Sequence, residues 1–159
     1  MEIVYQPIGI IRSPFQDIQG MPIQPAGAKG IQGTIEVNIE YLQALQDLEG
    51  FSHIILLYHF HQVKKVELMV TPFLDNNPHG ILSTRAPSRP NPIGHSVVRL
   101  VSREEHILHI EDVDILDKTP LLDIKPYVPK FDHREVEGLG WLETNHNKVH
   151  HTKADGRFG

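Results

Sequence analysis

The chain contains no cysteine, which excludes disulfides, thiolate catalysis and cysteine-based zinc sites. Long apolar runs are also missing. None approaches the roughly 20 residues a bilayer-spanning helix needs, and Met1–Pro7 has neither a basic n-region nor an apolar h-region. The expectation is a cytoplasmic protein without a membrane span. Basic charge is in deficit too. A net charge of −5 argues against coating nucleic acid by bulk attraction, while leaving room for a local patch among Arg12, Lys64, Lys65, Arg85, Arg89, Lys125 and Lys130.

Helical periodicity is scarce. Tyr41–Leu48 carries apolar residues at 41, 44, 45 and 48 with Gly50 just beyond, which reads as one short helix ended by a glycine cap. What is plentiful is β pattern. Apolar runs rich in branched residues predict strands near Val4–Ile11, Gly33–Val37, His53–His61, Lys65–Thr71, Gly80–Ser83, Ser96–Ser102 and Ile107–Ile115. Many short strands with few crossover helices point to a mainly β protein, a small closed or nearly closed β-barrel. A length of 159 residues suits one such domain, over residues 1–131, and a tail. In that tail, 132–138 reads as a solvated connection, and Leu139–Lys153 as a terminal helix anchored by Trp141 and Leu142. Gly138-Leu139-Gly140 lacks both a leading strand and a third glycine, so a Rossmann nucleotide site is not expected.

The segment 83–96, Ser-Thr-Arg-Ala-Pro-Ser-Arg-Pro-Asn-Pro-Ile-Gly-His-Ser, sets three prolines and two arginines between strand-like runs. Proline fixes φ and restrains the residue before it, so Ala86, Arg89 and Asn91 are held in few shapes. Such stiffness lowers the entropy lost when Arg85 and Arg89 are placed on an anion or a planar ring. The alternative is a rigid surface turn with solvated arginines.

A second segment, Asp114-Ile-Leu-Asp117-Lys118-Thr119-Pro120-Leu-Leu-Asp123-Ile-Lys125-Pro-Tyr127, is equally rich in turn and charged residues. Together with Thr84–Gly94 it resembles the TsaA-like, or TrmO, family of S-adenosylmethionine-dependent tRNA methyltransferases. Pro7–Pro14, Ile23–Gly27, Gly50–His53 and Phe60–Gln62 extend the resemblance in the family's order, over roughly residues 3 to 131. Two residues depart from it: Lys118 stands where the family usually has glycine, and Ala86 where serine is common. A glycine at the first position could supply a positive φ that lysine adopts only at a cost.

The resemblance implies a barrel, a homodimer, S-adenosylmethionine as cofactor, and methyl transfer to N6 of threonylcarbamoyladenosine at position 37 of a tRNA. It implies cofactor contacts at Gln24, Pro25, Ala26, His61, Gln62, Arg85, Asp117, Lys118, Thr119 and Pro120. Cations outside that set, Arg12, Lys64, Arg89 and Lys130, are candidates for tRNA phosphates. A delocalised N6 lone pair calls for a proton acceptor, and Asp117 is one candidate, with the substrate's own carboxylate or water as others.

Asp117 and Asp123 bracket a proline-containing turn, which invites a paired-carboxylate reading. Lys125 is an ordinary ion-pair partner for Asp123. His146 and His150 lie at i, i+4, compatible with a metal, but no glutamate follows His146, and no native metal is expected. Two other functions stay open: a module that binds S-adenosylmethionine or a nucleotide without catalysis, and a metal-dependent hydrolase built on the histidines.

Overall fold

The computed structural model describes residues 1–23, 25–143, 153 and 154. Six strands close a barrel: β1 (Gly9–Arg12), β2 (Gln32–Val37), β3 (His53–His59), β6 (Ile93–Glu104), β7 (Ile107–Glu111) and β8 (Thr119–Pro126). Their order around it is β1-β2-β7-β6-β3-β8, with β8 pairing back onto β1 and every pairing antiparallel. Two short strands, β4 (Met69–Val70) and β5 (His79–Gly80), form a separate ribbon beside it. The mainly β expectation and the closed barrel are both found.

Alternation decides what faces inward. On β3, Ile54, Leu56 and Tyr58 are buried; on β6, Gly94, Ser96, Val98 and Leu100 are. Of these, Ile54, Leu56, Tyr58, Val98 and Leu100 meet Ile11, Ile35, Val37, Leu108, Ile110, Val113, Ile115 and Leu121 in one core. A second cluster of Met21, Leu116 and Ala154, with Phe15, Ile18, Ile23 and Phe73 against it, lies outside that core. It ties the loop before β2 to the turn that precedes β8.

The predicted strands were cut back where no partner strand exists. Residues 1–8 form no strand, and Ile3, Val4 and Tyr5 are exposed; pairing starts at Gly9, where both β2 and β8 are in reach. The run expected over 65–71 keeps only Met69–Val70, and that over 80–83 becomes the end of β5 followed by a 3-10 turn, Ile81–Ser83. The run over 107–115 stops at Glu111, because Asp112 turns the chain with φ +66° and its carboxylate accepts Gly30 N–H at 2.7 Å. The helix expected over 41–48 is two 3-10 segments, Ile39–Leu45 and Leu48–Gly50, separated by Asp47 at φ +68°. So short a segment cannot repay helix nucleation, yet Leu45, Tyr41 and Leu48 still pack on the barrel core.

β8 was not anticipated. Its residues read as a proline-containing turn, but Pro120 sits second in the strand, opposite Ile10 of β1. The paired-carboxylate idea fails with the turn: Asp123 lies within β8, and its carboxylate meets Lys125 Nζ at 2.6 Å. Beyond β8 a short helix α1 (Pro129–Asp132) leads into the exposed stretch 133–138, the solvated connection expected. The body of the terminal helix expected over 139–153 lies outside the described residues, as do Gln24, His146, His150 and His151. Trp141 and Leu142, the anchors expected for that helix, lie in a 3-10 turn, Gly140–Leu142, where Trp141 Nε1 donates to Ser83 O at 2.8 Å and its ring stacks on His79 with centroids 4.7 Å apart. No helix among the described residues is long and apolar enough to cross a membrane.

Candidate active site

A groove of about 850 Å³ opens beside the barrel between the loop before β2 and the proline-rich loop before β6. Ile18, Met21, Ile23 and Phe73 form apolar walls, and Arg85, Arg89, His95 and Asp114 bring polar groups into it. Volume and composition fit a small organic ligand with a few orienting polar contacts.

The floor is built by β3 and β6. Tyr58 and Gly94 are directly paired across these strands, and a Cβ on Gly94 would run into the Tyr58 ring. Only glycine leaves room there for the ring. The Tyr58 hydroxyl then reaches Ser96 Oγ at 2.9 Å, and Ser96 donates to Asp114 Oδ1 at 2.7 Å. Ser96 is 1% exposed, and a hydroxyl so buried requires partners of this kind. Because its own proton goes to Asp114, it must accept the proton of Tyr58. Burial, aided by the negative charge of Asp114, pushes Tyr58 well above the usual phenol range and keeps it protonated. Burial likewise pushes Asp114 up to about 6, against the opposing hydrogen bond from Ser96 and the positive charge of Arg85. His95 is held below its ordinary value by burial and by Arg85, so its ring is neutral at pH 7.

The proline-rich loop presents Arg85 toward this floor and uses Arg89 to hold itself together. Arg89 Nη1 donates to Thr84 O at 2.6 Å, Ile81 O at 3.2 Å and Ala86 O at 3.4 Å. Thr84 adds a further tie, its hydroxyl donating to Ile81 O at 2.9 Å and accepting from Ala86 N–H at 3.2 Å. The stiffness expected from the prolines is therefore reinforced by side-chain bonds to the loop's own carbonyls.

A second polar cluster surrounds the turn into β8. Asp117 accepts Ser13 N–H at 3.1 Å on Oδ1 and the Gln16 amide at 3.4 Å on Oδ2. Thr119 donates to Leu116 O at 2.6 Å, and its Oγ1 faces His61 Nδ1 at 3.4 Å. His61 is shifted below its ordinary value, chiefly by burial, with Asp117 pulling the other way. Between Asp117 and Thr119, Lys118 takes φ +64°, the left-handed conformation anticipated for a lysine in a glycine position.

Of the predicted site residues, the fold brings Arg85 and Arg89 to the groove, and sets His61, Asp117, Lys118 and Thr119 together at the turn. Pro25 and Ala26 lie in a 3-10 turn, Pro25–Ala28, and Gln62 is exposed just beyond His61. Of the four candidate phosphate cations, Arg89 lines the groove and Arg12, Lys64 and Lys130 do not. Arg12 lines a different depression, with Gln32, Glu104 and His109, and meets Glu36 at 3.6 Å; Lys64 is exposed on the loop after β3 and Lys130 is exposed on α1. Sequence reasoning missed Tyr58, His95, Ser96 and Asp114. A signal was present for two of them, since Ser96 falls on the inward phase of a strand and Asp114 opens the charged 114–127 segment. Among the described residues no group of three or more histidine, aspartate or glutamate side chains is arranged to hold a metal.

Comparison with known proteins agrees with this architecture. The profile of the tRNA-methyltransferase O N-terminal domain matches residues 10–133. A probable S-adenosyl-L-methionine-binding protein of Pyrococcus abyssi is 58% identical over 156 residues, covering 98% of this chain and 85% of that one. The tRNA (adenine(37)-N6)-methyltransferase of Escherichia coli is 38% identical over 135 residues, covering 79% of this chain and 57% of the enzyme. The crystal structure of TrmO from Pseudomonas aeruginosa superposes with a TM-score of 0.74 at 40% identity, over 89% of this chain and 63% of that one. The chain thus spans little more than half of the bacterial enzyme it resembles. With a closed barrel and matches over most of its length, the chain belongs to the TsaA-like, tRNA-methyltransferase O family of S-adenosylmethionine-dependent methyltransferases.

Proposed function

We propose that this protein transfers a methyl group from S-adenosylmethionine to N6 of a tRNA adenosine at position 37, with threonylcarbamoyladenosine as the acceptor nucleoside. The observation that carries the reading is the groove itself: apolar walls, Arg85 and a neutral His95 at its floor, and a carboxylate ready to take a proton. Arg85 and the turn at Asp117–Thr119 would hold the cofactor. When bound, the cofactor supplies an electrophilic methyl group on a positively charged sulfur. The protein's part is then alignment and exclusion of water, together with a place for the N6 proton. An anticodon-loop base suits such a site, since it can be splayed into a pocket without melting a duplex.

Exposed apolar side chains, Leu82 at 77% on the groove, Met69 at 60% on β4 and Leu68 at 71% just before it, support a homodimer that covers them. Light scattering at micromolar concentrations should report twice the chain mass, and a monomer would refute it. We place the reaction in the cytoplasm, where tRNA is available.

The test is incubation with methyl-labelled S-adenosylmethionine and total tRNA from a strain lacking this modification, with the nucleoside identified by mass spectrometry. Label in methylated threonylcarbamoyladenosine is expected. A second reading is supported by the naming of the Pyrococcus abyssi relative as a probable binding protein: a module that binds S-adenosylmethionine without transfer. Cofactor binding in calorimetry, with no label entering tRNA, would favour that module and end the enzyme reading.

A further inference from the structure

We propose that Asp114, held at the groove floor by Ser96 and Tyr58, is the residue that accepts the N6 proton during methyl transfer; the inference rests on the methyltransferase reading above. Three features of the fold converge on it. First, the Tyr58–Ser96–Asp114 chain has a fixed direction. Tyr58 donates to Ser96 and Ser96 to Asp114, so both hydroxyl protons point toward the carboxylate and hold it in one orientation. Second, Asp114 lines the groove, because the chain leaves β7 at Asp112 and no longer alternates as a strand. Third, the neighbouring acid is already committed. Both Asp117 oxygens are engaged, one by Ser13 N–H and the other by Gln16, and Asp117 does not line the groove.

The chemistry requires such a group. The N6 lone pair of an adenosine is delocalised into the ring, and the nitrogen becomes strongly acidic as it takes on a fourth bond. As N6 bonds to the methyl carbon, the carbon–sulfur pair returns to sulfur and the N6 proton passes to the Asp114 carboxylate. It then leaves to solvent through the groove. Charges and protons balance without a further reactant. The groups facing Asp114 are Ser96 of β6, Tyr58 of β3 and Arg85 of the proline-rich loop. With Tyr58 protonated, Arg85 supplies the positive charge among them. An acid whose pKa has risen to about 6 is ionised at pH 7 and is still basic enough to accept the proton.

The experiment combines kinetics with direct titration. The parent should show kcat rising tenfold per pH unit and levelling off above a break near 6. Carbon-detected NMR of the ligand-free protein should show one aspartate carboxyl titrating at the same place. Asp114→Asn retains an oxygen to accept the Ser96 hydroxyl. It should lose roughly 10²–10⁴-fold in kcat and abolish both the break and the resonance, while S-adenosylmethionine affinity in calorimetry stays within threefold. Ser96→Ala provides the second variant: it keeps the carboxylate but removes a donor that lowers its pKa, so the break and the resonance should move together to higher pH. The inference is overturned if Asp114→Asn keeps parental kcat, if its loss is matched by lost cofactor affinity, or if the break stays put in Ser96→Ala. A parent that methylates no tRNA would refute the methyltransferase reading and the inference together, whereas an active parent with an active Asp114→Asn variant refutes the inference alone.

Discussion

Replacing Lys118 by glycine should stabilise the protein, an unusual direction for a lysine-to-glycine change. Lys118 sits in the turn into β8 with φ +64° and an exposed side chain. A residue with a Cβ in that conformation costs about 1–2 kcal/mol, because Cβ crowds the following carbonyl. Glycine removes this cost, but widens the unfolded ensemble and so gives back about 0.5–1 kcal/mol. The balance is a gain of about 0.5–1 kcal/mol. For a chain of this size each kcal/mol moves the melting temperature by about 2–4 °C, so the Lys118→Gly melting temperature should rise by about 1–4 °C. Lys118→Asn should gain a similar amount, since asparagine tolerates the left-handed region without glycine's entropy. Lys118→Val should lose about 1 kcal/mol or more, because a branched side chain resists it. Thermal unfolding of ligand-free protein, followed by circular dichroism, gives all three values. A Lys118→Gly protein that melts below the parent, or a Lys118→Val protein that melts with it, would refute the reasoning.

Gly94→Ala should cost about 1–3 kcal/mol, the range for an overpacked core, because the new methyl group meets the Tyr58 ring. In urea titration, adding Tyr58→Leu should recover part of that loss, and strictly additive effects would show that the two residues are not in contact. The Asp75 carboxyl is held below its ordinary value chiefly by its 2.8 Å bond to His79 and by Asn76 N–H. A carboxyl whose folded pKa is depressed stabilises the fold above its unfolded value of 3.8 and loses that contribution as pH falls through the folded pKa. Melting temperature should therefore fall less on acidification below pH 4 in Asp75→Asn than in the parent, and equal slopes would count against the bond.

Much of the barrel was legible in the chain. Alternation in 53–59 and 96–100 marks the faces of β3 and β6 without reference to anything distant, because successive side chains in a strand must point to opposite sides, whereas the start of β6 at Ile93 was hidden in the proline-rich segment. The stiff proline-rich loop was legible for a similarly local reason, and the positive φ at Lys118 was implied by the resemblance, which has glycine there. Failures came where a partner decided the outcome. Val4 and Tyr5 have strand-like character but no neighbouring strand, and Pro120 looks like a turn residue until β1 lies beside it. The spread of Arg12, Lys64 and Lys130 away from the groove was equally invisible in one dimension.

What the sequence determined by itself is the kind of molecule: short apolar alternations without cysteine or long helices, and two loops whose arginines, prolines and aspartates resemble one methyltransferase family. What the tertiary structure alone decided is which acid lines the groove. Asp114 and Asp117 lie three residues apart in one segment and differ little in sequence context. They part because Asp112 ends β7 and the chain then passes over the barrel edge. One carboxylate is carried to the inward-facing Ser96 in the groove, the other back to the Ser13 amide of the turn after β1. The burial and the hydrogen-bond partner that set the proton affinity of Asp114 come from β3 and β6, and only folding brings those distant segments to it.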